Sequence, residues 1–162
     1  MTTFTKWFLV NALIGTGIFF AEQREAISTI VKNDLSYISI LIMTLYVFLS
    51  LYIGRLCYLS DKMSTRKEKR LKEKEYLTKR ADLGWFSAEH FFSLGLLGTI
   101  IGLIFATRGS LDSSLPVGEI VAGLKEGLNT AFYTTVCGIV FSLPLQIQLM
   151  ILRFKLEDNK NE

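Results

Sequence analysis

Charged side chains are absent from four long stretches of the sequence. No Asp, Glu, Lys or Arg occurs in Trp7–Ala21, Tyr37–Gly54, Phe91–Thr107 or Leu128–Leu152. A helix needs about 20 apolar residues to cross a bilayer, with a range of about 17–25. The last three stretches reach that range unaided, and the first reaches it when Phe4 and Thr5 join it and Lys6 extends toward the headgroups. The sequence therefore predicts an all-α membrane protein with four transmembrane helices.

The first stretch has a second interpretation, as a cleaved signal peptide. It has a basic residue, Lys6, ahead of an apolar core. Its end, Phe19-Phe20-Ala21, lacks the small-x-small pattern of a cleavage site, so we expect the stretch to be retained. Cleavage would leave three spans and place the new N-terminus outside.

Cysteine and histidine are scarce, which excludes several kinds of site. Cys57 and Cys137 lie near opposite ends of different predicted spans, so we expect no disulfide between them. His90 is the one histidine, and no Cys/His cluster has the spacing of a metal site. The sequence also lacks a P-loop and a nucleophile–base pair. We therefore expect no enzyme, no metal site and no cofactor.

Basic residues are concentrated in one connection between spans. Ten of the eighteen Lys and Arg lie between Arg55 and Arg80, and the formal net charge is +3. Lys and Arg beside membrane spans remain on the cytoplasmic side. The N-terminus and the C-terminal tail are then cytoplasmic, and the connections 22–36 and 108–127 face outward. Because the clustering explains the basic balance, we expect membrane lipid as a partner and no nucleic acid.

The predicted layout has four parts: two peripheral spans, a basic cytoplasmic helical segment, two further spans and a cytoplasmic tail, at 1–60, 61–90, 91–152 and 153–162. Within the basic segment, Ser64–Lys79 has neither Gly nor Pro. The i,i+4 pairs Glu68–Lys72 and Glu75–Lys79 support an exposed helix there. We interpret it as a solvated extension of the second span. The alternative is a docking site for a cytoplasmic partner or anionic lipid.

Small residues recur at helical spacing in the third and fourth spans. The third span carries Gly95, Thr99, Gly102 and Ala106, and the fourth carries Ala131, Thr135, Gly138 and Ser142. Small residues let membrane helices approach closely, so the stripes, together with Gly98-x-x-x-Gly102, fit a helix-packing motif. In the alternative interpretation they line a pathway, where the threonine hydroxyls coordinate an ion or hold water.

Other features of these spans concern the backbone and the charge. The fourth helix is predicted to begin near Gly118, and Pro144 is predicted to bend it by freeing a backbone carbonyl. We interpret His90, beside Glu89 at the end of the third span, as an interfacial polar residue; a proton shuttle is the alternative. No charged residue falls within the four spans. If the protein conducts protons, the carboxylate that carries them must therefore come from another polypeptide.

Two segments carry a resemblance to a known family. Gly95–Gly102, GLLGTIIG, resembles the "GLLGTxxG" signature of the MotA/TolQ/ExbB proton-channel family. Gly127–Pro144, GLNTAFYTTVCGIVFSLP, is similar to the family's "GLxxAhxxTxxGhxxxhP" segment, where h is apolar. The two segments lie in adjacent spans in the family's order, and the resemblance covers residues 87–148.

The resemblance implies an inner-membrane stator subunit of a bacterium that assembles as a ring. Five copies would surround two copies of a single-span MotB/TolR/ExbD-like subunit, whose aspartate titrates. The two spans of 91–152 would line the pore, with Thr99 and Thr135 on the ion pathway and Thr134 adding polarity. Protons, or sodium in some members, would pass there and drive mechanical work.

The sequence departs from the family pattern at two places. The segment 61–90 is short and basic, which argues against direct torque on a flagellar rotor. Thr130 stands where TolQ-type and ExbB-type members often carry a glutamate. The segment GLNTAFYTT looks closer to defence-system stators, so the resemblance leaves the driven process open. The alternative function is a non-conducting membrane scaffold or a holin-like pore-former, which would be toxic when expressed alone.

Overall fold

The structure is a computed structural model that describes residues 2–63, 67–110 and 116–158. All regular structure in these ranges is helical: α1 Thr3–Gln23, α2 Ala26–Asn33, α3 Ile38–Asp61, α4 Lys67–Ser110 and α5 Val117–Asp158. Helices α1, α3, α4 and α5 are long and apolar enough to cross a membrane. The predicted all-α fold with four candidate spans is confirmed, and the fourth span begins close to Gly118 as expected.

The basic segment belongs to the third span, not to the second. Helix α3 ends at Asp61, where the Lys62 N–H bonds to the Leu59 carbonyl at 3.1 Å. The chain is helical again from Lys67 and continues into the third span as the single 44-residue helix α4. The sequence interpretation of an extension of the second span was wrong at this point. The physical reason is that nothing between Lys67 and Leu83 breaks a helix, since both Gly and Pro are missing there.

At 1.5 Å per residue, α4 is about 66 Å long, roughly twice the hydrocarbon thickness of a bilayer. Its first turns carry the predicted ion pairs, Lys72 with Glu68 at 3.7 Å and Lys79 with Glu75 at 2.8 Å. The start of the predicted helix, residues 64–66, lies outside the described residues, as do 159–162 of the predicted tail. The rest of that tail, up to Asp158, continues α5.

A short helix, α2, lies in the connection 22–36, which the sequence left as a loop. It is followed by Asp34, which is buried and accepts hydrogen bonds from the backbone N–H of Ser36 at 2.9 Å and of Ser39 at 2.8 Å. The Thr130 hydroxyl accepts from the Leu35 N–H at 3.1 Å. These bonds fix the start of α3 and hold the connection against α5.

Helices α4 and α5 lie antiparallel along most of their length, and α3 packs against both. The core is formed by buried residues of these three helices: Ile42, Ile53, Leu56, Cys57, Leu77, Ala81, Phe91, Leu145, Leu149 and Leu152. Helix α1 lies on the outside and exposes most of its apolar side chains. Its main anchor is the Trp7 ring, which packs directly on Gly54. Both cysteines are buried and free.

A buried polar cluster joins α1 to α3 and α5 within the apolar layer. The Trp7 indole N–H donates to the Gln148 side-chain oxygen at 3.1 Å. The Ser50 hydroxyl donates to the Asn11 side-chain oxygen at 2.7 Å, and the Gln148 amide donates to the same oxygen at 3.4 Å. Gln148 is 0% exposed. These bonds satisfy polar groups that the bilayer could not solvate.

We expect Asn11→Leu to loosen α1. The change keeps the number and branching of the side-chain heavy atoms but removes the acceptor of the Gln148 amide, and a buried donor without a partner costs about 1–3 kcal/mol. The measurement is thermal unfolding in detergent micelles, with Asn33→Leu as the control, since the Asn33 amide is exposed and bonds to its own helix. Equal stability of the two variants would show that the cluster does not anchor α1.

Candidate ion pathway at the contact of α4 and α5

Glycines bring the backbones of α4 and α5 into direct contact. A Cβ on Gly102 would lie 2.5 Å from the Ala131 nitrogen and 2.7 Å from the Gly127 oxygen. A Cβ on Gly138 would lie 2.8 Å from the Phe91 oxygen and 2.9 Å from the Gly95 Cα. These neighbours are backbone atoms that cannot move aside, so no larger side chain fits at either position.

The two stripes of small residues thus face each other within one subunit. Gly127 packs on Ala106, Gly98 packs on the Thr134 side chain, and the Ser142 hydroxyl donates to the Ala88 carbonyl at 2.9 Å. All seven residues predicted to pack the helices are buried: Gly95, Gly98, Gly102, Ala106, Ala131, Gly138 and Ser142. The contact leaves no room for a file of water molecules between the two helices of a subunit.

Thr99 and Thr135 lie at the edge of this contact, where they are half-buried. Their hydroxyls form a hydrogen bond with each other. The Thr135 hydroxyl can also donate to the Ala131 carbonyl at 3.0 Å, and the Thr99 hydroxyl to the Gly95 carbonyl at 3.2 Å. Because each hydroxyl has one proton and two lone pairs, the pair keeps acceptor capacity on its open side. It can therefore hold a water molecule, a protonated carboxyl group or a small cation.

The matching family model covers residues 61–162, which include α4, α5 and the threonine pair. The chain belongs to the MotA/TolQ/ExbB proton channel family. The resemblance expected from the two glycine- and threonine-containing segments is confirmed. No curated protein and no solved structure matches the chain.

Membership of this family of proton channels gives the chain a channel or transport role, as a multi-pass membrane protein. The structure describes no group of three or more His, Cys, Asp or Glu that could hold a metal ion within 2–63, 67–110 and 116–158.

Thr134 does not join the Thr99–Thr135 pair. It is 0% exposed, and its hydroxyl donates within its own helix, to the Thr130 carbonyl at 2.9 Å or the Ala131 carbonyl at 3.1 Å. Its methyl and hydroxyl groups cover Gly98. The structure thus places Thr134 inside the contact of α4 and α5, where it packs the helices.

Pro144 lies on the side of α5 away from Thr135, nine residues further along the helix. It lines an apolar groove whose other side is formed by Gly17, Ile18 and Ala21 of α1. Helix α5 continues through it without interruption. Proline has no N–H, so the Val140 carbonyl has no partner at the usual i+4 position. The freed carbonyl belongs to the groove side of the helix and not to the threonine edge.

Further polar side chains lie between the threonine pair and the other end of α4 and α5. We call them the polar track: Asp82, Trp85 and Glu89 of α4 and Ser142, Gln146 and Arg153 of α5. The Gln146 amide donates to the Ser142 hydroxyl at 2.9 Å, and the Trp85 indole donates to the Glu89 carboxylate at 2.6 Å. Arg153 lies 5.6 Å from the Trp85 ring centre and pairs with Asp82 at 3.6 Å.

The polar track was not predicted from the sequence, although a signal is present. On α4 its members Asp82, Trp85 and Glu89 lie at steps of three and four residues on a stripe that continues through the apolar Phe92 and Leu96 to Thr99. On α5 it occupies steps of seven, four and seven through Thr135, Ser142, Gln146 and Arg153. Such steps keep side chains on one face of a helix. The two patterns indicate a shared polar edge only when α4 and α5 are known to pack in this register.

Proposed function

We propose that this chain is the ring-forming subunit of an ion-driven membrane stator. With a single-span subunit that supplies a titrating aspartate, it forms a pathway for protons, or for sodium as in some members of the family. The pathway converts ion-motive force into mechanical work. The observation that carries the proposal is the Thr99–Thr135 hydroxyl pair at the open edge of two closely packed helices, within the stretches of α4 and α5 that carry no charged residue.

The packing inside the subunit supports a pathway that is shared between chains. The backbones of α4 and α5 touch at Gly102 and Gly138, so an ion cannot pass between them. The threonine pair opens instead onto an exposed surface that carries Phe92 and Leu96 of α4 and Ile139 of α5. In an assembly, that surface faces a neighbouring copy or the partner helix. A ring of five copies around two partner helices encloses it.

The chemistry of the pair supports a partner carboxylate as the ion carrier. Threonine hydroxyls do not ionise near neutral pH, so they can solvate a passing proton but not store it. A carboxylate on the partner can take up the proton and become neutral beside the pair. One charge crossing 100 mV releases roughly 2.3 kcal/mol, which is the driving force for each step of the ring relative to the partner.

The orientation follows from the basic residues at the start of α4 and the end of α3. Their position beside the spans supports a cytoplasmic location for this end of the bundle, for both termini and for the tail. The membrane is then the bacterial inner membrane. The threonine pair lies toward the outer half, and the polar track leads from it to the cytoplasmic end.

The subunit count tests the proposal. We expect native mass spectrometry of the purified chain to give five copies, and five with two of the partner when both are expressed together. Replacing the partner's aspartate by asparagine should leave this count unchanged and stop proton flux into liposomes. A monomer, a dimer or a broad distribution of species would contradict the ring and favour ordinary helix packing as the role of the stripes.

A further inference from the structure

The register of α4 against α5 decides how deep Glu89 lies in the membrane. The Asp82–Arg153 ion pair joins the two helices at the point where the charge-free stretch of α5 ends. Further along, Gly84 packs on Leu149 and the Ser142 hydroxyl reaches the Ala88 carbonyl. Glu89 lies seven residues beyond Asp82, which is about 10 Å deeper at 1.5 Å per residue.

Helix α3 places the same level near the middle of its own apolar stretch. Ser142, which bonds to the carbonyl of Ala88, follows Phe141, whose ring centre lies 5.0 Å from that of Tyr46. Tyr46 is close to the centre of the charge-free stretch Tyr37–Gly54. The contacts with α5 and the position relative to α3 therefore both place Glu89 within the apolar layer. The third span thus begins closer to the N-terminus of α4 than Phe91, the residue at which the sequence prediction began it.

Glu89 also lies on the face that carries the threonine pair. It belongs to the polar track, on the α4 stripe that ends in Thr99, and its side chain is exposed at the subunit surface. The Trp85 indole donates to its carboxylate at 2.6 Å, which holds one oxygen in place. From α5, the half-buried Gln146 lies along the same edge, with its amide bonded to the buried Ser142 hydroxyl.

The charged neighbours of Glu89 lie toward the cytoplasmic end. Arg153 of α5 packs over Trp85 and pairs with Asp82 of α4. His90 lies about 100° from Glu89 around α4, on the side opposite Thr99, with its Nδ1 bonded to the Phe86 carbonyl at 2.7 Å and its ring against Phe86. The carboxylate of Glu89 thus lies between the threonine pair and the Asp82–Arg153 pair, with no cation in direct contact among the described residues.

An ionisable side chain at membrane depth is costly, and it marks an ion pathway or a proton relay rather than a lipid-facing surface. We propose that Glu89 is a proton-accepting carboxylate in the cytoplasmic half of the pathway. The proposal rests on the proposed stator function. It changes the expectation that every proton-carrying carboxylate comes from another polypeptide, because this chain supplies one itself.

The relay has two balanced steps. The partner's protonated aspartate gives its proton to a bridging water, which passes one of its own protons to the Glu89 carboxylate, so that the aspartate becomes ionised and Glu89 becomes a neutral acid. It then releases that proton to water at the cytoplasmic end, beside Asp82 and Arg153, and returns to the carboxylate. A bridge is needed because Thr99 lies ten residues away along α4, about 15 Å.

The depth of Glu89 is tested on the whole chain in lipid nanodiscs with dicyclohexylcarbodiimide. This apolar reagent takes the proton of a carboxylic acid on one nitrogen, the carboxylate oxygen adds to its central carbon, and the adduct rearranges to a stable N-acylurea. We expect mass spectrometry to find the adduct on Glu89, less of it as the pH rises, and none after Glu89→Gln. Glu75, on the same helix beside Lys79, is the matched site that should stay unmodified. Absence of the adduct from wild-type Glu89 would overturn the membrane placement.

The relay is tested by proton flux into liposomes that hold the chain with its partner. We expect Glu89→Gln to lower the flux about tenfold or more, Glu89→Asp to recover a large part of it, and Glu75→Gln to leave it unchanged. Wild-type flux in the Glu89→Gln complex would overturn the relay and leave the stator function in place. A wild-type complex that carries no protons would contradict both the relay and the stator function. The adduct would still report the depth of Glu89.

Discussion

Replacing Thr135 by valine is expected to lower ion-driven flux sharply while the ring assembles normally. Valine has the shape of threonine, so the contact of α4 and α5 keeps its packing, but the bond to the Thr99 hydroxyl and the acceptor at the open edge are lost. A hydrogen bond to a charged group contributes about 1.5–3 kcal/mol, which corresponds to a tenfold to hundredfold loss of rate. The measurement is proton flux into liposomes for the complex with its partner, together with the subunit count by native mass spectrometry.

Thr44→Val is the matched control for this prediction. Thr44 lies in the charge-free stretch of α3, is exposed, and donates to the carbonyl of Ile40 in its own helix at 2.8 Å. It therefore offers the same chemistry in a membrane helix away from the threonine edge, and its variant should conduct as the wild type does. Equal flux for Thr135→Val and wild type would remove the threonine pathway. Thr134→Val distinguishes the two neighbouring threonines of α5. Because the Thr134 hydroxyl is buried, we place it outside the pathway. A loss of flux in this variant without a loss of assembly would show that Thr134 belongs to the pathway.

Replacing Gly102 is expected to cause the largest structural loss. A Cβ at this position meets the backbone of α5 at 2.5 Å, so even Gly102→Ala must push the helices apart. Overpacking of this kind costs about 1–3 kcal/mol, and Gly102→Leu adds three more carbons. We expect the alanine variant to unfold at lower temperature in detergent, and the leucine variant to yield no ring.

The control for Gly102 is the same pair of substitutions at Gly15. That residue lies in α1, where a Cβ would meet nothing within 4 Å. Gly15→Ala and Gly15→Leu should both assemble with wild-type stability, which separates close packing from the general effect of a larger residue in a membrane helix. A normal ring from Gly102→Leu would contradict the direct backbone contact of α4 and α5.

The substitutions at Gly102 and Thr135 change different parts of the contact between α4 and α5. The glycines bring α4 and α5 together and exclude an internal channel, while the threonines lie at the edge of that contact, which faces a neighbouring chain in the proposed ring. Loss of packing should abolish both assembly and flux. Loss of a hydroxyl should lower flux alone. Measuring the two quantities on the same samples therefore assigns each residue to packing or to the pathway.

Some properties of this protein follow from the sequence by itself. Charge-free stretches such as Tyr37–Gly54 predict spans because their length and composition match the bilayer, which is a local property. The family was identifiable because two segments, Gly95–Gly102 and Gly127–Pro144, carry their residues at fixed spacing. The close packing of small residues was also predictable, since 3.6-residue periodicity places Gly95, Gly98 and Gly102 on one side of a helix.

Other properties were decided only by tertiary structure. The sequence could not assign the basic segment to α4, because charge and helix propensity do not reveal at which end a helix breaks. It could not separate Thr134 from Thr135, since neighbours in a helix differ by about 100° and only the position of α4 decides which of them is buried. It gave Glu89 no place within a span, whereas the depth proposed for Glu89 depends on the register of packed helices, and that register is set by contacts between residues far apart in the chain.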